Sequence, residues 1–184
     1  MEEQMQGEVV SVNSSPTGGI GKDPMPEIRL IAGHGVEGDF HAGATVRHRS
    51  RAAKTPELPN RRQVHLIHSE LFDEMAALGI DVQPGRMGEN ITTRGLSILE
   101  LTVGARLHIG ESVVVEITGL RTPCTQLNSI DERLLQQVAR KLEDGSIMRK
   151  AGIMGVVVEG GVVRAGDAIR VETREGVGVR LEPV

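Results

Sequence analysis

Aromatic residues are almost absent from this sequence: its 184 residues include two Phe, no Trp and no Tyr. A core of this composition has to be built from aliphatic side chains. The chain also lacks the aromatic platform on which unpaired nucleic-acid bases stack. Its formal net charge of −4 disfavours non-specific binding to a polyanion. These features predict that the chain does not bind nucleic acid.

Cysteine is scarce as well, since Cys124 is the single one. One cysteine cannot form an intramolecular disulfide, which favours a reducing cytoplasm over a secreted disulfide-rich domain. The first residues, MEEQMQGEVV, do not have the pattern of a signal peptide, and no apolar run approaches the roughly 18–20 residues of a membrane span. The sequence therefore predicts a cytoplasmic protein without a membrane segment, and its length fits a single domain over residues 1–184.

Positive charge is concentrated in one stretch. Residues 29–68 contain seven basic residues against three acidic ones, and five of the six histidines. Arginine outnumbers lysine seventeen to four in the chain, and arginine is suited to bidentate binding of carboxylate or phosphate. The spacing of the histidines matches no zinc site. The stretch is either a solvated basic loop or part of an anion-binding site.

The alternation of apolar and turn residues predicts a mainly β fold with a few helices. Strands are predicted at residues 7–12, 27–32 and 64–67, as a hairpin within 105–118, and as a final pair at 155–159 and 168–171. One helix is predicted between Ser69 and Gly79, and a second after Asp131 with an apolar face that extends to Leu142. No βαβ rhythm is visible. About seven short strands and two helices fit a barrel-like structure with helices at its edges.

Cys124 is the first candidate for chemistry. It follows Pro123 in a break between predicted elements. A lone cysteine is commonly a small buried hydrophobe. Arg121, three residues earlier, instead favours the thiolate, which is the form that acts as nucleophile and metal ligand. A thiolate suits sulfur transfer or a soft metal rather than Mg²⁺ or Ca²⁺.

A second candidate is the loop Gly85-Arg86-Met87-Gly88-Glu89-Asn90. Its two glycines allow backbone N–H groups to approach an anion, Arg86 supplies charge, and Asn90 offers both a donor and an acceptor. By itself this loop is equally typical of a plain turn.

Taken in order, several segments resemble the MOSC domain, which occurs at the C-terminus of molybdenum-cofactor sulfurases and as stand-alone bacterial proteins. The segments are residues 35–39, 62–66, 85–92, 103–110, 121–124, 155–158 and 165–169. Together they cover about residues 5–172 and leave 173–184 as a C-terminal tail. The resemblance implies a mainly β, barrel-like single MOSC domain with one functional cysteine.

The resemblance also implies a site. In related amidoxime-reducing proteins the matching cysteine is a thiolate ligand to molybdenum, so Cys124 is implied as catalytic residue and metal ligand, or as the carrier of a persulfide. The residues implied in binding the pterin or its phosphate are Arg86, Glu89, Asn90, Thr125, Asp39, His41 and Arg121. The usual glycine-rich segment after Asp39 is replaced here by an arginine-rich stretch, residues 47–62.

Three functions follow from the resemblance. The first is a molybdenum-cofactor-binding oxidoreductase that reduces N-hydroxylated compounds with electrons from a partner protein. The second is a sulfur carrier in which Cys124 holds a persulfide supplied by a donor protein, and the third is a non-enzymatic molybdopterin-binding protein. Pyridoxal phosphate is not expected in this chain, because it lacks a segment the size of the domain that binds it in the large sulfurases.

Overall fold

The computed structural model describes residues 6–47, 52–173 and 178–184. His48, Arg49 and Arg51 of the basic stretch lie outside the described residues. The described strands are β1 (Gln6–Ser14), β2 (Asp23–Met25), β3 (Ile28–Ile31), β4 (Gly35–Val36), β5 (Val64–His68), β6 (Ile91–Arg94), β7 (Arg106–Ile109), β8 (Val113–Leu120), β9 (Ala139–Lys141), β10 (Ile147–Arg149), β11 (Ile153–Glu159), β12 (Gly161–Val163) and β13 (Ala168–Glu172). The helices are α1 (Glu70–Ala77) and α2 (Leu134–Val138), with 3₁₀ turns at Ile98–Glu100 and Thr125–Ser129. No helix in the described part is long and apolar enough to cross a membrane.

Seven strands close into a barrel in the order β1-β13-β7-β8-β11-β5-β6. Strand β1 closes it, because its first residues pair with β13 and its later ones with β6. Every neighbouring pair in the barrel is antiparallel except β5 and β6, which run parallel. Closure removes the sheet edges that would otherwise expose unpaired backbone groups. The prediction of a mainly β, barrel-like fold is confirmed.

The barrel interior is aliphatic, as the composition requires. In β8, Val113, Val115 and Ile117 alternate inward and are almost fully buried. A second apolar cluster lies outside the barrel, where α1 packs Leu71 and Phe72 against neighbouring segments. Fully burying side chains of this kind stabilises a fold by roughly 1.5–3 kcal/mol each. The two clusters place α1 and α2 on the barrel wall.

Most of the predicted elements are present. The strands predicted at 7–12, 27–32 and 64–67 correspond to β1, β3 and β5, and the predicted hairpin is β7–β8. The helix predicted after Ser69 is α1. These elements have strong local patterns, because each repeats apolar residues at one period over a full element.

The second predicted helix is too long. Helix α2 ends at Val138, and the next residues form β9, which pairs with β10 as a hairpin. The turn is favoured by Asp144, whose carboxylate accepts hydrogen bonds from the Ser146 N–H at 2.9 Å and from its hydroxyl at 2.6 Å. Leu142 is 38% exposed rather than on a buried helical face. The spacing of the apolar residues does not show that hydrogen bonds from a side chain stabilise a turn in place of the helix.

The two final strands, predicted at 155–159 and 168–171, are present, but they do not pair with each other. Strands β11 and β13 exist, but β11 pairs with β5 and β8, while β13 pairs with β7 and β1. Barrel closure separates them, since their partners come from distant parts of the sequence. The parallel pair β5–α1–β6 is a βαβ unit that the sequence pattern did not show. Its helix is short and it is a single unit, so the sequence shows no repeated alternation of strand and helix that would predict it.

Candidate functional site

A cavity of about 420 Å³ opens against the outer face of the barrel, where β8 ends and β5 and β11 begin. This volume lies within the range of pockets that hold small ligands. The lining comprises Gly19, Ile20, Lys22, His41, Val46, Arg47, Thr55, Leu58, Pro59, Asn60, Arg61, Arg62, His65, Gly88, Asn90, Arg121, Thr122, Cys124, Gln126, Met154, Pro183 and Val184. The cavity therefore joins the basic stretch, two residues of the 85–90 loop and the segment that carries the cysteine.

Cys124 lies half-buried on this wall, in the connection that follows β8. Its backbone is extended, and its carbonyl accepts the Leu127 N–H at 3.1 Å, which starts the 3₁₀ turn Thr125–Ser129. The thiol has only a long contact, 3.9 Å, to Gln126 Oε1. The sulfur is therefore held by its backbone on the cavity wall and remains available to a ligand.

Arg121 lines the same cavity beside the cysteine segment. Its backbone N–H donates to the Gly152 carbonyl at 3.0 Å, which fixes the start of the segment on β11's leading loop. Its Nη1 is buried and has no hydrogen-bond partner among the described residues. Burial lowers the pKa of the guanidinium, and the charges of Cys124 and Glu89 oppose that change. An arginine stays cationic in such surroundings, so the buried Nη1 is a charged donor without an acceptor.

His65 lies behind Arg121 on the outer face of β5 and is almost fully buried. Burial, followed by the charge of Arg121, lowers the pKa of its imidazole well below the ordinary value. Its Nε2 is 2.8 Å from the Ala151 carbonyl, so a neutral ring places its proton on Nε2. Gly152 permits this close approach: at φ +93°, an added Cβ would collide with the Leu66 carbonyl. His65 and His68 lie on opposite faces of β5.

Asp39 is the centre of a buried polar network under the cavity. Its carboxylate accepts hydrogen bonds from Lys22 Nζ at 2.9 Å, the His41 N–H at 3.0 Å and the Ser15 N–H at 3.2 Å. Both charged side chains of the Lys22–Asp39 pair are at most 3% exposed. Burial alone would raise the pKa of Asp39, but hydrogen bonds from His41 and the charge of Lys22 hold it well below its usual range. The pair is therefore ionised.

Asn90 completes this network rather than facing a ligand. Its Nδ2 donates to the Asn13 carbonyl and to Asp39 Oδ2, each at 3.2 Å, and its Oδ1 accepts the His65 N–H at 3.2 Å. Both of its amide N–H donors and one lone pair of its oxygen are thus used inside the protein. Asn90 lines the cavity, and its role there is to tie β5, β1 and Asp39 together.

Glu89 is fully buried and stabilises the 85–90 loop from beneath. Its Oε1 accepts the Gly85 N–H at 2.6 Å and the Thr92 hydroxyl at 3.1 Å, while Oε2 has no partner. Burial raises the pKa of Glu89 to about 6, although these hydrogen bonds act in the opposite direction. Its proton is therefore held more tightly in the folded protein than in the unfolded chain.

This shift gives a testable pH dependence. Between about pH 4.5 and pH 6 the unfolded chain loses the Glu89 proton first, so the folded state is progressively disfavoured as the pH rises. Relative to Glu89→Gln, the wild-type free energy of unfolding should fall by about 2 kcal/mol from pH 4.5 to pH 7. Urea unfolding across that range measures it. The exposed Glu100→Gln is the control and should track the wild type; equal pH profiles for Glu89→Gln and wild type contradict the assignment.

The structure brings together three of the seven residues implied in cofactor binding. Arg121, His41 and Asn90 line the cavity with Cys124. Arg86 and Thr125 are exposed and outside the lining, and Asp39 and Glu89 lie buried beneath it. The anion-binding role expected of Arg86 is thus better suited to Arg121.

Sequence reasoning missed several lining residues. Lys22 has no local signal, because a lysine in a loop is ordinarily solvated. His65 had one, since a histidine within the buried run Val64-His65-Leu66-Ile67 interrupts an otherwise apolar strand. Arg47, Arg61 and Arg62 belonged to the basic stretch, but only the fold shows that they face the cysteine's cavity.

A family model described as MOSC domain matches residues 38–170. That range includes both β5 with its cavity-facing histidine and the cysteine segment. No curated protein matches the sequence.

Solved structures share the fold. The YuaD protein from Bacillus subtilis superposes with a TM-score of 0.75 at 22% identity, covering 95% of this chain and all of the other (100%). YiiM from Geobacillus stearothermophilus gives 0.66 at 19% identity, over 95% of this chain and 79% of the other. YiiM from Escherichia coli gives 0.59 at 23% identity, over 92% and 71%. At these identities the likeness is one of fold.

Proposed function

The chain belongs to the MOSC domain family, and from this membership we propose that its cavity binds a molybdopterin-type molybdenum cofactor with the Cys124 sulfur as ligand to the metal. The observation that carries the proposal is the pairing, in one basic cavity, of an available thiol with the buried, unpartnered Nη1 of Arg121. A buried charged donor without a partner costs free energy that a bound anion would offset.

The residues present fit such a cofactor. The cofactor is anionic through its phosphate, and the lining supplies several cationic side chains. Cys124 would hold the metal through its sulfur, a ligand type that thiolate-binding metals accept. The pterin body needs an apolar wall, which Ile20, Val46 and Met154 provide. Charge, donor type and volume thus agree.

Each residue then has a distinct role. Cys124 supplies the thiolate, and Arg121 donates to an anionic group next to it. Lys22 adds positive charge at the floor, where Asp39 fixes its position. His65 is neutral and buried, so it offers a hydrogen bond and a wall without adding charge. The polar network beneath keeps these groups in place, which reduces the reorganisation needed on binding.

We further propose that the activity is an oxidoreductase reaction on N-hydroxylated compounds, with electrons from a partner protein. A bound molybdenum cofactor supplies the two-electron redox chemistry that such a reaction needs. The chain's own contribution is to hold the cofactor by Cys124 and Arg121 and to leave the cavity mouth open beside Thr122 and Gln126, which are exposed. This activity follows from the family resemblance.

A sulfur-carrier function is the second candidate. It is favoured by the partial exposure of Cys124 and by the weakness of its one side-chain contact. A persulfide on this sulfur would be accessible to a second protein, and Arg121 would stabilise its negative charge. The third candidate is a non-enzymatic pterin-binding protein, in which the same cavity holds a pterin for transfer and catalyses no reaction. Mass spectrometry separates the second from the first, because a carrier holds one extra sulfur on Cys124 and no metal.

The anion-binding role of Arg121 can be tested directly. Arg121→Gln should reduce the molybdenum and pterin retained by the purified protein by about tenfold or more, because a charge-assisted hydrogen bond is worth about 1.5–3 kcal/mol. Arg121→Lys should restore only part of the retention, since lysine cannot bind two oxygens side by side. Metal analysis of protein from a cofactor-competent host measures both.

Arg86→Gln is the matched control, since Arg86 is an exposed arginine outside the cavity. Retention should stay at the wild-type level. A loss at Arg86→Gln as large as at Arg121→Gln would show that the 85–90 loop, and not the cavity, holds the anionic group.

A further inference from the structure

The cavity has cationic groups at two depths. Lys22 is buried at the floor, and the Nη1 of Arg121 is buried as well. Arg47 and Arg61 are exposed and stand at the rim. Neither rim arginine forms an ion pair with any residue of the described parts of the chain, and Arg61 reaches only the Thr118 carbonyl, at 3.4 Å. The rim therefore presents positive charge that the protein itself does not neutralise.

Five lining side chains are cationic, namely Lys22, Arg47, Arg61, Arg62 and Arg121, and no acidic side chain is among the described lining residues. The proposed function assigns Lys22 and Arg121 to the cofactor. It leaves Arg47 and Arg61 at the rim with no assigned ligand.

An apolar surface adjoins the rim arginines. Leu58 lines the cavity and is 54% exposed, and Val46 and Pro59 line it nearby. An exposed leucine that lines the same cavity as the two rim arginines suits a ligand that combines an apolar body with a charged group. A nucleic acid is a poor match, since the cavity is small and the chain as a whole is negative.

We propose that the second ligand of this cavity, the substrate or acceptor that meets Cys124, is a small organic anion whose carboxylate or phosphate binds Arg47 and Arg61 at the rim while its apolar part contacts Leu58. This deepens the proposed function and rests on it for the identity of the first ligand. Arg47 and Arg61 are then specificity-determining residues, and Cys124 marks the end of the cavity at which the ligand reacts.

The rate at which the single cysteine is alkylated by an anionic or a neutral reagent tests whether the cavity favours an anionic ligand. Iodoacetate and iodoacetamide are nearly isosteric and differ by one negative charge, and Cys124 is the only thiol in the chain. The full chain is purified from a host that cannot make the cofactor, so that the thiol is free. The ratio of the two alkylation rates is measured by intact mass and divided by the same ratio for 2-mercaptoethanol, which corrects for intrinsic reactivity.

The wild type should favour iodoacetate by about five- to tenfold over the reference thiol at low ionic strength, and the preference should shrink in high salt. Arg47→Gln and Arg61→Gln should each lower the ratio by about twofold, which is the effect of one charge across a solvated cavity. Arg94→Gln is the charge-matched control, because Arg94 is exposed, pairs with Asp73 and lies outside this cavity. Its ratio should equal that of the wild type.

Molybdenum content, measured on the same variants from a cofactor-competent host, completes the test. Rim variants with a lowered alkylation ratio and wild-type molybdenum support a second anion subsite. An unchanged ratio in both variants overturns the proposal. A lowered ratio with molybdenum lost as in Arg121→Gln also overturns it, because the rim then serves the cofactor. Failure of the proposed function appears elsewhere, as molybdenum that survives Cys124→Ala, and leaves the cofactor-free alkylation comparison valid.

Discussion

Cys124→Ala should abolish stoichiometric molybdenum, lowering the metal retained by the purified protein by more than about tenfold, while the fold persists. The sulfur is the one thiol of the chain and lies on the wall of the basic cavity. Losing a direct ligand should exceed the 10–100-fold loss of metal affinity or activity that is typical when an outer-shell partner is removed. The side chain is half-buried and has only a 3.9 Å contact to Gln126, so the free energy of unfolding should change by less than about 1 kcal/mol. Metal analysis and urea unfolding measure the two effects.

The matched control is Thr122→Ala, which alters an exposed lining residue two positions away and should retain the metal. Molybdenum that persists in Cys124→Ala rules out Cys124 as the metal ligand and favours a pterin-binding protein without turnover. A wild-type protein that carries no metal but has one extra sulfur on Cys124 favours the sulfur carrier. Cys124→Ala that no longer folds would contradict the loop position of the residue.

Asp39→Ala should lower the free energy of unfolding by about 3–5 kcal/mol, the largest stability effect expected in the site. The substitution leaves Lys22 buried without its counter-ion, which is the costly way to break a buried pair. It also removes the acceptor of the His41 and Ser15 backbone N–H groups. Because Asp39 also accepts from Asn90, the floor of the cavity should loosen and cofactor retention should fall with stability. Urea unfolding at neutral pH measures the change.

Two variants test the reason for that loss. The double variant Lys22→Met, Asp39→Ala should be more stable than Asp39→Ala alone, since Lys22→Met removes the unpaired buried charge. Asp73→Ala breaks an ion pair of the same kind, with Arg94 at 3.2 Å, but its side chain is 65% exposed. Its cost should stay under about 1 kcal/mol. A double variant less stable than Asp39→Ala, or a comparable loss at Asp73→Ala, would contradict the buried-pair explanation.

Local pattern was sufficient for elements that bury a regular stripe. The hairpin β7–β8 and helix α1 were predicted because their apolar residues repeat at periods of two and about 3.6. The prediction failed where two local preferences compete. After Val138 the helical spacing continues to Leu142, yet the Asp144–Ser146 turn and pairing with β10 produce a hairpin. Strand partners were equally hidden, since β11 and β13 find theirs across the barrel.

The candidate site divides in the same way. Cys124 and Arg121 were identifiable because they lie in one short break of pattern, and the ordered segments around them indicated the family, which the match over residues 38–170 shows. Arg86 and Asn90 were predicted as site residues from the chemistry of their side chains. That chemistry does not show whether a side chain points into the cavity. Arg86 is exposed to solvent outside the cavity, and the side-chain amide of Asn90 forms hydrogen bonds with Asn13, Asp39 and His65.

The sequence by itself determined an aliphatic, mainly β fold and a single thiol three residues after an arginine, because composition and short-range periodicity are properties of neighbours along the chain. The MOSC type was indicated separately, by the resemblance of the ordered segments to that family. Only the tertiary structure decided which charges surround that thiol. Lys22 comes from one segment and Arg61 and His65 from another, and both segments meet Cys124 when the barrel closes. Side-chain direction, burial and pairing depend on contacts between residues far apart in the sequence. They therefore fix the cavity's charge and the free donor of Arg121, which no local pattern contains.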